Sequence, residues 1–363
     1  MKRSSLDNNN ILGWYLGREI VWGGVITLLS LVSIAYFVTF AGEMGNIGKQ
    51  DFTTTTAVSF VLMKMPKIVQ EMLPAAVLIG SLFSFGGLAA SNELTIMRAT
   101  GVSILGILWR VRIIGLLSVL IAVINMELVV PAAERGAKII KAEALHESVV
   151  EYSREVFWLR DGDYFVRMQH VGSDGSVAGI QWMKIPEPGD LAEVSYADRA
   201  FHEGEEWRLE QVRSTQLDKS PIATVSADEA KHQSTISHDI IRLASRDPVD
   251  LSMVELYSYT AFLENSGLDA GSYQHAFWGR LAMPFSMLVM LVLAIPFSIT
   301  EGRSLSAGKR VVMGVFLGIG FYLLNKVLMN TGEIYQFNPI VTAFLAPSLF
   351  LLSALWMIRK RGL

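Results

Sequence analysis

Six long apolar stretches, three before and three after a polar middle region, dominate the pattern of hydrophobic and polar positions along the chain. Each has about the 20 residues that an α-helix needs to cross a bilayer. The pattern therefore predicts a membrane protein with six transmembrane helices in a 3+3 arrangement. The predicted spans are residues 20–40, 75–90, 104–131, 276–299, 311–329 and 339–358.

The polar middle region, residues 132–269, follows a different pattern. Apolar and polar positions alternate with a period of two in several short runs, and turn signals such as Asp161-Gly162 separate them. This alternation indicates an inserted all-β domain of the sandwich or jelly-roll-like kind, which divides the chain into residues 1–131, 132–269 and 270–363. The predicted strands lie at residues 156–159, 164–168, 192–201 and 207–212.

Two local features refine the first half of the chain. Residues 11–18 combine Trp14 and Arg18 with aliphatic side chains, which predicts an interfacial helix leading into the first span. Pro66 and Pro74 precede the second span, and a proline there can bend a membrane helix because neighbouring helices satisfy the freed carbonyl.

The composition excludes most catalytic chemistry. Hydrophobic residues make up 51% of the chain and charged residues 18%, and the absence of cysteine excludes thiol catalysis, disulfides and cysteine metal sites. The six histidines show no metal-ligand spacing, and residues 302–310 have one residue too many for a phosphate-binding loop. We therefore expect no catalytic residue, no metal site, no nucleic-acid partner and no enzymatic activity in this chain.

The distribution of lysine and arginine predicts the orientation, because cytoplasmic span ends carry the excess of positive charge. Both termini are expected in the cytoplasm and the β domain outside it, which in a bacterium is the periplasm. Four lysines, Lys49, Lys64, Lys67 and Lys326, lie on the opposite side. The cytoplasmic ends hold Lys2, Arg3, Arg18, Arg98, Arg110, Arg112, Arg303, Lys309, Arg310, Arg359, Lys360 and Arg361.

The short polar interval 91–101 joins the second and third spans. It contains the acid Glu93 and the base Arg98, and it ends at Gly101, a residue that can stop a helix. A short amphipathic helix between two spans would act as a lever, since a force on it moves both spans. The alternative from the residues alone is an ordinary connecting turn.

Several local motifs, together with this layout, resemble those of the YjgP/YjgQ permeases, the membrane subunits of the lipopolysaccharide exporter. The resemblance covers essentially the whole chain, and residues 269–274 resemble the LptG-type branch of the family more than the LptF-type branch. The motifs are Pro66 to Pro74 with Glu71 and Leu73, Asn92-Glu93-Leu94 ending at Gly101, Glu127 followed by Pro131, and residues 320–324.

The resemblance implies a permease subunit of an ATP-driven exporter in the inner membrane. Its implied partners are an LptF-type permease, an LptB-type cytosolic ATPase dimer, an LptC-type single-span protein, an LptA-type periplasmic bridge and lipopolysaccharide. It implies no cofactor in this chain, because the partner ATPase uses the ATP.

The resemblance also implies roles for individual residues. Glu93, Leu94 and Arg98 would couple the permease to the ATPase, with Glu93 making a charge-assisted contact to a basic residue. The implied lipopolysaccharide-binding residues are Lys138, Lys141, Phe321 and Tyr322. For the lysines the alternative is snorkelling at the membrane interface, and for the aromatic pair it is ordinary packing.

The chain departs from the family at the outer end of the first span, where residues 35–43 contain no lysine. Two alternative functions remain open from the residues. A proton-driven transporter could use Glu127, Arg280 and Lys326 as a charge relay, although Arg280 could instead pair with Glu127. A non-transporting envelope adaptor would use the spans only as an anchor.

Overall fold

The computed structural model describes residues 4–100, 104–146, 156–172, 176–187, 190–203, 206–218, 221–234, 236–301 and 307–360. Two 3₁₀ turns, Met44–Asn46 and Pro248–Asp250, and one π-helical turn, Asn125–Val129, accompany the longer elements. The helices are α1 Ser4–Glu43, α2 Thr54–Ala90, α3 Glu93–Ala99, α4 Ile104–Ile124, α5 Val130–Ala144, α6 His238–Ala244, α7 Met253–Asn265, α8 Gly271–Glu301, α9 Ala307–Ile334 and α10 Pro339–Lys360. The strands are β1 Phe157–Asp161, β2 Tyr164–Val171, β3 Val177–Lys184, β4 Glu193–Glu203, β5 Glu206–Gln216 and β6 Ala223–Gln233.

Six of the described helical segments are long and apolar enough to cross a membrane, three before and three after the strands. The predicted fold class is therefore confirmed. These segments are Gly13–Asn46, Thr54–Ala90, Val111–Ala144, Gly271–Ser298, Val312–Ile334 and Pro339–Lys360.

Three of these helices continue beyond the predicted limits of the spans. The interfacial segment is part of the uninterrupted helix α1, and both Pro66 and Pro74 lie inside α2. The third span continues through Pro131 to Ala144. Hydropathy marks only the apolar part of a helix, so the polar turns at the ends of these helices escaped the prediction.

The π turn interrupts the third span between α4 and α5. The amide of Val130 donates to the carbonyl of Asn125, five residues earlier, instead of the usual four. Single π turns are frequent at functional sites because the extra residue redirects neighbouring side chains. Here the turn contains the polar residues Asn125 and Glu127.

The chain divides into two compact units, and the transmembrane unit comprises residues 1–45, 61–133 and 277–363. Its core is a single apolar cluster from α1 to α4 and α8 to α10, which packs large side chains against small ones. The buried members include Leu16, Leu78, Leu82, Phe85, Leu88, Leu94, Ile107, Met290, Ala294, Phe321 and Ala346.

Helices α1 and α2 cross at glycines. A Cβ atom on Gly80 would lie 2.4 Å from the nitrogen of Gly24, and one on Gly23 would lie 2.7 Å from the carbonyl oxygen of Gly80. The hydroxyl of Ser84 donates to the carbonyl oxygen of Glu19 at 2.7 Å. Small residues permit this close backbone approach between membrane helices.

Gly80→Ala is expected to destabilise the protein by about 1–3 kcal/mol, because the atoms that meet the new methyl group are backbone atoms. Gly87→Ala in the same helix is the matched control, since no atom lies within 4 Å of its added Cβ. It should be neutral or stabilise the helix by up to about 1 kcal/mol. Thermal unfolding of the purified chain in detergent measures both, and equal melting temperatures would contradict the close crossing.

The second unit, residues 46–60 and 134–276, contains the β domain. Its six strands form one antiparallel sheet in which each strand pairs with its neighbours in sequence, in the order β1 to β6. The described strands are thus a meander, and they lack the strand crossings of a true jelly roll. At the first hairpin Asp161 pairs with Tyr164, and Gly162 between them has a φ of 60°, as the Asp-Gly signal predicts.

The sheet curves so that strands distant in its order face each other. The ring of His232 on β6 lies 5.1 Å from that of Tyr164 on β2 and 5.4 Å from that of Trp182 on β3, measured between ring centroids. Glu193 on β4 accepts hydrogen bonds from Ser214 at 2.5 Å and from Ser195 at 2.9 Å. The bond from Ser214 is the largest cause that lowers the pKa of Glu193.

Mild acid is expected to destabilise the β domain through His232. Burial holds the pKa of His232 below its ordinary value of 6.5, so below about pH 6.5 the unfolded chain binds a proton that the folded domain does not. The contribution of His232 is complete above that pH. It falls by up to about 1.4 kcal/mol per pH unit as the pH decreases towards the folded-state pKa.

Thermal unfolding of the full chain over a pH series tests this expectation. His232→Phe should flatten the dependence just below about pH 6.5. An unaltered slope in His232→Phe would contradict the assignment.

Candidate functional site

The interval between the second and third spans forms a short helix, α3, rather than an ordinary turn. Asn92 has a φ of 63° and lies between the end of α2 and the start of α3 at Glu93. Asparagine tolerates this left-handed conformation better than most residues, which explains the sharp change of chain direction here. Gly101, the predicted helix stop, lies outside the described residues.

One face of α3 is anchored in the transmembrane core. Leu94 is 3% exposed and belongs to the apolar cluster, and Met97 packs against that cluster. Ile96 points away and is 60% exposed. Leu94 therefore attaches α3 to the bundle, and Ile96 is the apolar side chain available to another protein.

The carboxylate of Glu93 accepts one hydrogen bond on each oxygen. The hydroxyl of Tyr15, on α1, donates to Oε2 at 2.9 Å, and the hydroxyl of Ser91 donates to Oε1 at 2.9 Å. A carboxylate held by two donors keeps a defined orientation and can still accept further bonds from a cation. The side chain of Arg98 lies outside the described residues.

Lys138 lies between two carboxylates of the second unit. Its ammonium group pairs with Asp247 at 2.7 Å and, more closely, with Asp250. Asp250 is buried, whereas Asp247 is partly exposed. The charge of Lys138 is thus already neutralised by its own chain.

Lys141, one turn further along α5, has a different environment. Its ammonium nitrogen lies 5.0 Å from the ring centroid of Phe60, which is a cation–π arrangement. The two lysines are three residues apart on α5, the spacing of one helical face, and Lys138 meets two acids.

The aromatic pair on α9 is divided between the core and the surface. Phe321 is 5% exposed and packs edge to face against Phe350, with 5.2 Å between the ring centroids. Tyr322 is partly exposed, and its hydroxyl lies 3.5 Å from the ammonium group of Lys326. Phe321 is therefore a packing residue in this structure, and Tyr322 with Lys326 faces outward.

Polar side chains connect three spans inside the transmembrane unit. Arg280 of α8 pairs with Glu127 of the π turn at 3.6 Å, which selects the ion pair among the alternatives that the sequence left open for Arg280. The amide of Asn125 donates to the carbonyl of Pro66 and to Gln70, both at 3.0 Å. Ionisable groups within a membrane protein are costly unless they are paired in this way.

Three features of the site were not apparent from the sequence. Tyr15 looked like an interfacial aromatic residue, Ile96 like any other apolar position, and Asp247 and Asp250 like ordinary surface acids. No local motif connects these residues to their partners, since 78 positions separate Tyr15 from Glu93 and 112 separate Lys138 from Asp250. Among the described residues, no group of three His, Asp or Glu side chains is placed to hold a metal ion.

Six spans, a short helix between the second and third of them and an inserted antiparallel β domain define a multi-pass membrane protein of the permease class. The family described as "Lipopolysaccharide export system permease LptF/LptG" matches residues 14–360, and the chain belongs to that family.

Individual relatives agree with this assignment. The chain is 30% identical over 355 residues to the lipopolysaccharide export system permease protein LptG of Escherichia coli, covering 97% of this chain and 99% of the relative. It is 29% identical to LptG of Haemophilus influenzae, with the same coverage. The paralogous LptF of Escherichia coli is 21% identical over 347 residues, or 90% of this chain and 88% of the relative.

Proposed function

We propose that this chain is the LptG-type permease subunit of an ATP-driven exporter that extracts lipopolysaccharide from the inner membrane. Family membership along nearly the whole chain carries the proposal, because the spans, the β domain and α3 all lie inside the matched region. The higher identity to LptG proteins than to LptF supports the LptG-type assignment.

In this proposal the second permease of the complex is an LptF-type paralogue. The LptF relatives are proteins of the same family and of similar length, so a pair of homologous subunits around one cavity is the natural arrangement. The remaining proposed partners are an LptB-type ATPase dimer, an LptC-type single-span protein and an LptA-type bridge. ATP would be bound by the ATPase and not by this chain.

The proposed coupling contact is made by α3. Glu93 presents an oriented carboxylate, and Ile96 presents an exposed apolar side chain beside it. An acid next to an apolar residue suits a groove with a basic residue at its rim. Leu94 would transmit the force into the core, and Arg98 would add a second charged contact.

The proposed orientation puts both termini and α3 in the cytoplasm and the β domain in the periplasm. The chain has no cysteine, so single introduced cysteines report this topology without background. A cysteine at Ile96 should react with an impermeant maleimide only after the inner membrane is opened. A cysteine at Val225, which is 58% exposed on β6, should react before it is opened.

The four proposed ligand-binding side chains differ in whether they must first give up a contact within the chain. Tyr322 faces outward from α9 and could contact acyl chains directly, whereas Phe321 would first have to leave the core. Lys141 would give up its place over Phe60, and Lys138 would have to exchange two carboxylates for a phosphate group. Tyr322 is therefore the strongest of the four candidates.

Reconstitution tests the proposed function. The chain, a paralogous permease and the cytosolic ATPase are placed in vesicles that contain lipopolysaccharide, and its transfer to a soluble bridge protein is measured. Transfer should require hydrolysable ATP and stop when the ATPase is omitted. Transfer driven by a pH gradient alone would instead support the proton-driven alternative.

A further inference from the structure

From the contacts of Glu93 we infer that the coupling helix α3 acts on α1 as well as on the two spans that it joins. Tyr15 is the positioning residue that makes this connection. The inference rests on the proposed function, since it concerns how force from the ATPase would enter the bundle. By chain order alone, α3 would move only the second and third spans, which it joins; the contact with Tyr15 adds the first span.

The direct connection is the hydrogen bond from the Tyr15 hydroxyl to Glu93 at 2.9 Å. Tyr15 is 40% exposed. The hydrogen bond to Glu93, and not burial of the ring, therefore positions its side chain. Its acceptor is a carboxylate, and bonds to ionised acceptors are stronger than bonds between neutral groups. Ser91 occupies the other carboxylate oxygen, which fixes the plane of the group.

The chain neighbours of the two bonded residues are buried in one apolar cluster, which supports the connection. Leu16, the next residue of α1, is fully buried in the cluster that also contains Leu88 of α2 and Leu94 of α3. The residues next to the bonded pair on both helices, Leu16 on α1 and Leu94 on α3, are thus buried in the same apolar cluster. A hydrogen bond beside a shared core resists rotation of one helix against the other better than the bond alone.

Deeper in the unit, α1 is attached to α2 through its backbone. The crossing at Gly23, Gly24 and Gly80 leaves no room for a side chain, and Ser84 donates to the Glu19 carbonyl. Because these contacts involve backbone atoms, they cannot be adjusted by a change of rotamer. A displacement of α3 therefore carries α1 with it.

The consequence concerns the part of α1 that faces away from the bundle. Only 6% of the most apolar part of this span is buried. Four of its side chains are each more than 60% exposed: Ile26, Leu29, Ile34 and Phe37. In the proposed exporter this surface faces the partner permease, the cavity or lipid. Through Tyr15, motion of the ATPase would be delivered to the span that has the smallest buried share of the six.

Tyr15 and a basic residue of the ATPase can bind Glu93 at the same time. A carboxylate has about four lone-pair positions, and Tyr15 and Ser91 use two of them. Tyr15 can therefore remain bound to Glu93 when the ATPase moves α3.

Tyr15→Phe tests the inference, because it removes only the hydroxyl. In the vesicle assay the variant complex should retain its ATPase and hydrolyse ATP normally, while lipopolysaccharide released per ATP falls about tenfold, the equivalent of one charge-assisted hydrogen bond. Tyr36→Phe, the same change further along α1, is the matched control and should behave as wild type. In a Glu93→Ala background, which removes the acceptor, and with the ATPase in excess, Tyr15→Phe should have less effect than it has alone.

The outcomes separate this inference from the proposed function. Equal release per ATP in wild type and both tyrosine variants would overturn the role of Tyr15 while leaving the exporter intact. A loss in Tyr15→Phe that is fully retained in the Glu93→Ala background would also overturn it, since the hydroxyl would then act elsewhere. Absence of ATP-dependent release in the wild-type complex would instead reject the proposed function.

Discussion

Glu93→Lys is expected to abolish copurification of the cytosolic ATPase and, with it, export of lipopolysaccharide. The substitution places a cation where the proposed contact needs an anion, and it removes the acceptor of the Tyr15 and Ser91 hydroxyls. Losing one partner of an interface charge pair costs about 2–5 kcal/mol, which lowers affinity at least about 30-fold. Titration of the purified permease pair with labelled ATPase measures this loss.

Two further variants make the result specific. Glu333→Lys reverses an exposed acid at the end of α9 and should leave ATPase binding unchanged. Glu93→Gln keeps hydrogen-bonding capacity but not the charge, so its affinity should fall between those of wild type and Glu93→Lys. Wild-type affinity in Glu93→Lys would show that α3 is not the docking element.

Lys138→Met is expected to destabilise the second unit by about 3 kcal/mol, whether or not lipopolysaccharide is present. The substitution leaves the buried carboxylate of Asp250 without its cation, and an unpaired buried charge is among the most destabilising changes known in proteins. The Oδ1 atom of Asp250 has no other hydrogen-bond partner within the described residues. Chemical unfolding of the purified full chain in detergent measures the loss.

The carboxylate partner provides the decisive comparison. Asp250→Asn in the Lys138→Met background should recover at least half of the lost stability, because it removes the unpaired charge. Lys231→Met, which removes one partner of the exposed ion pair with Glu206, should cost at most about 1 kcal/mol. If Lys138→Met unfolds like wild type but binds lipopolysaccharide less well, ligand binding and not the ion pair is the function of Lys138.

The spans and much of the sheet followed directly from local sequence. Twenty apolar residues need no distant partner to favour a membrane helix, and the runs at residues 156–159, 164–168, 192–201 and 207–212 correspond to β1, β2, β4 and β5. Two strands escaped prediction for opposite reasons. β3 mixes Gly179, Gln181 and buried positions without clean alternation, and β6 is polar and mostly exposed on both faces.

β6 shows why alternation failed there. Its residues Ala223 to Glu229 have no buried face, so no hydrophobic pattern marks them. They form a strand because β5 supplies an aligned row of backbone hydrogen-bonding groups. Pairing with a neighbour is a tertiary property that no window of residues around β6 contains.

The sequence by itself determined six spans, an inserted β domain and a family, because hydropathy, alternation and motifs are properties of neighbouring residues. It also singled out Glu93 as a candidate, and it offered Glu127 as one possible partner of Arg280, the alternative that the ion pair in the structure selects. Only the tertiary structure decided which groups Glu93 and Lys138 contact. A hydrogen bond or ion pair depends on atoms within about 3 Å, and folding alone brings Tyr15 to Glu93 and Asp250 to Lys138 across long stretches of chain.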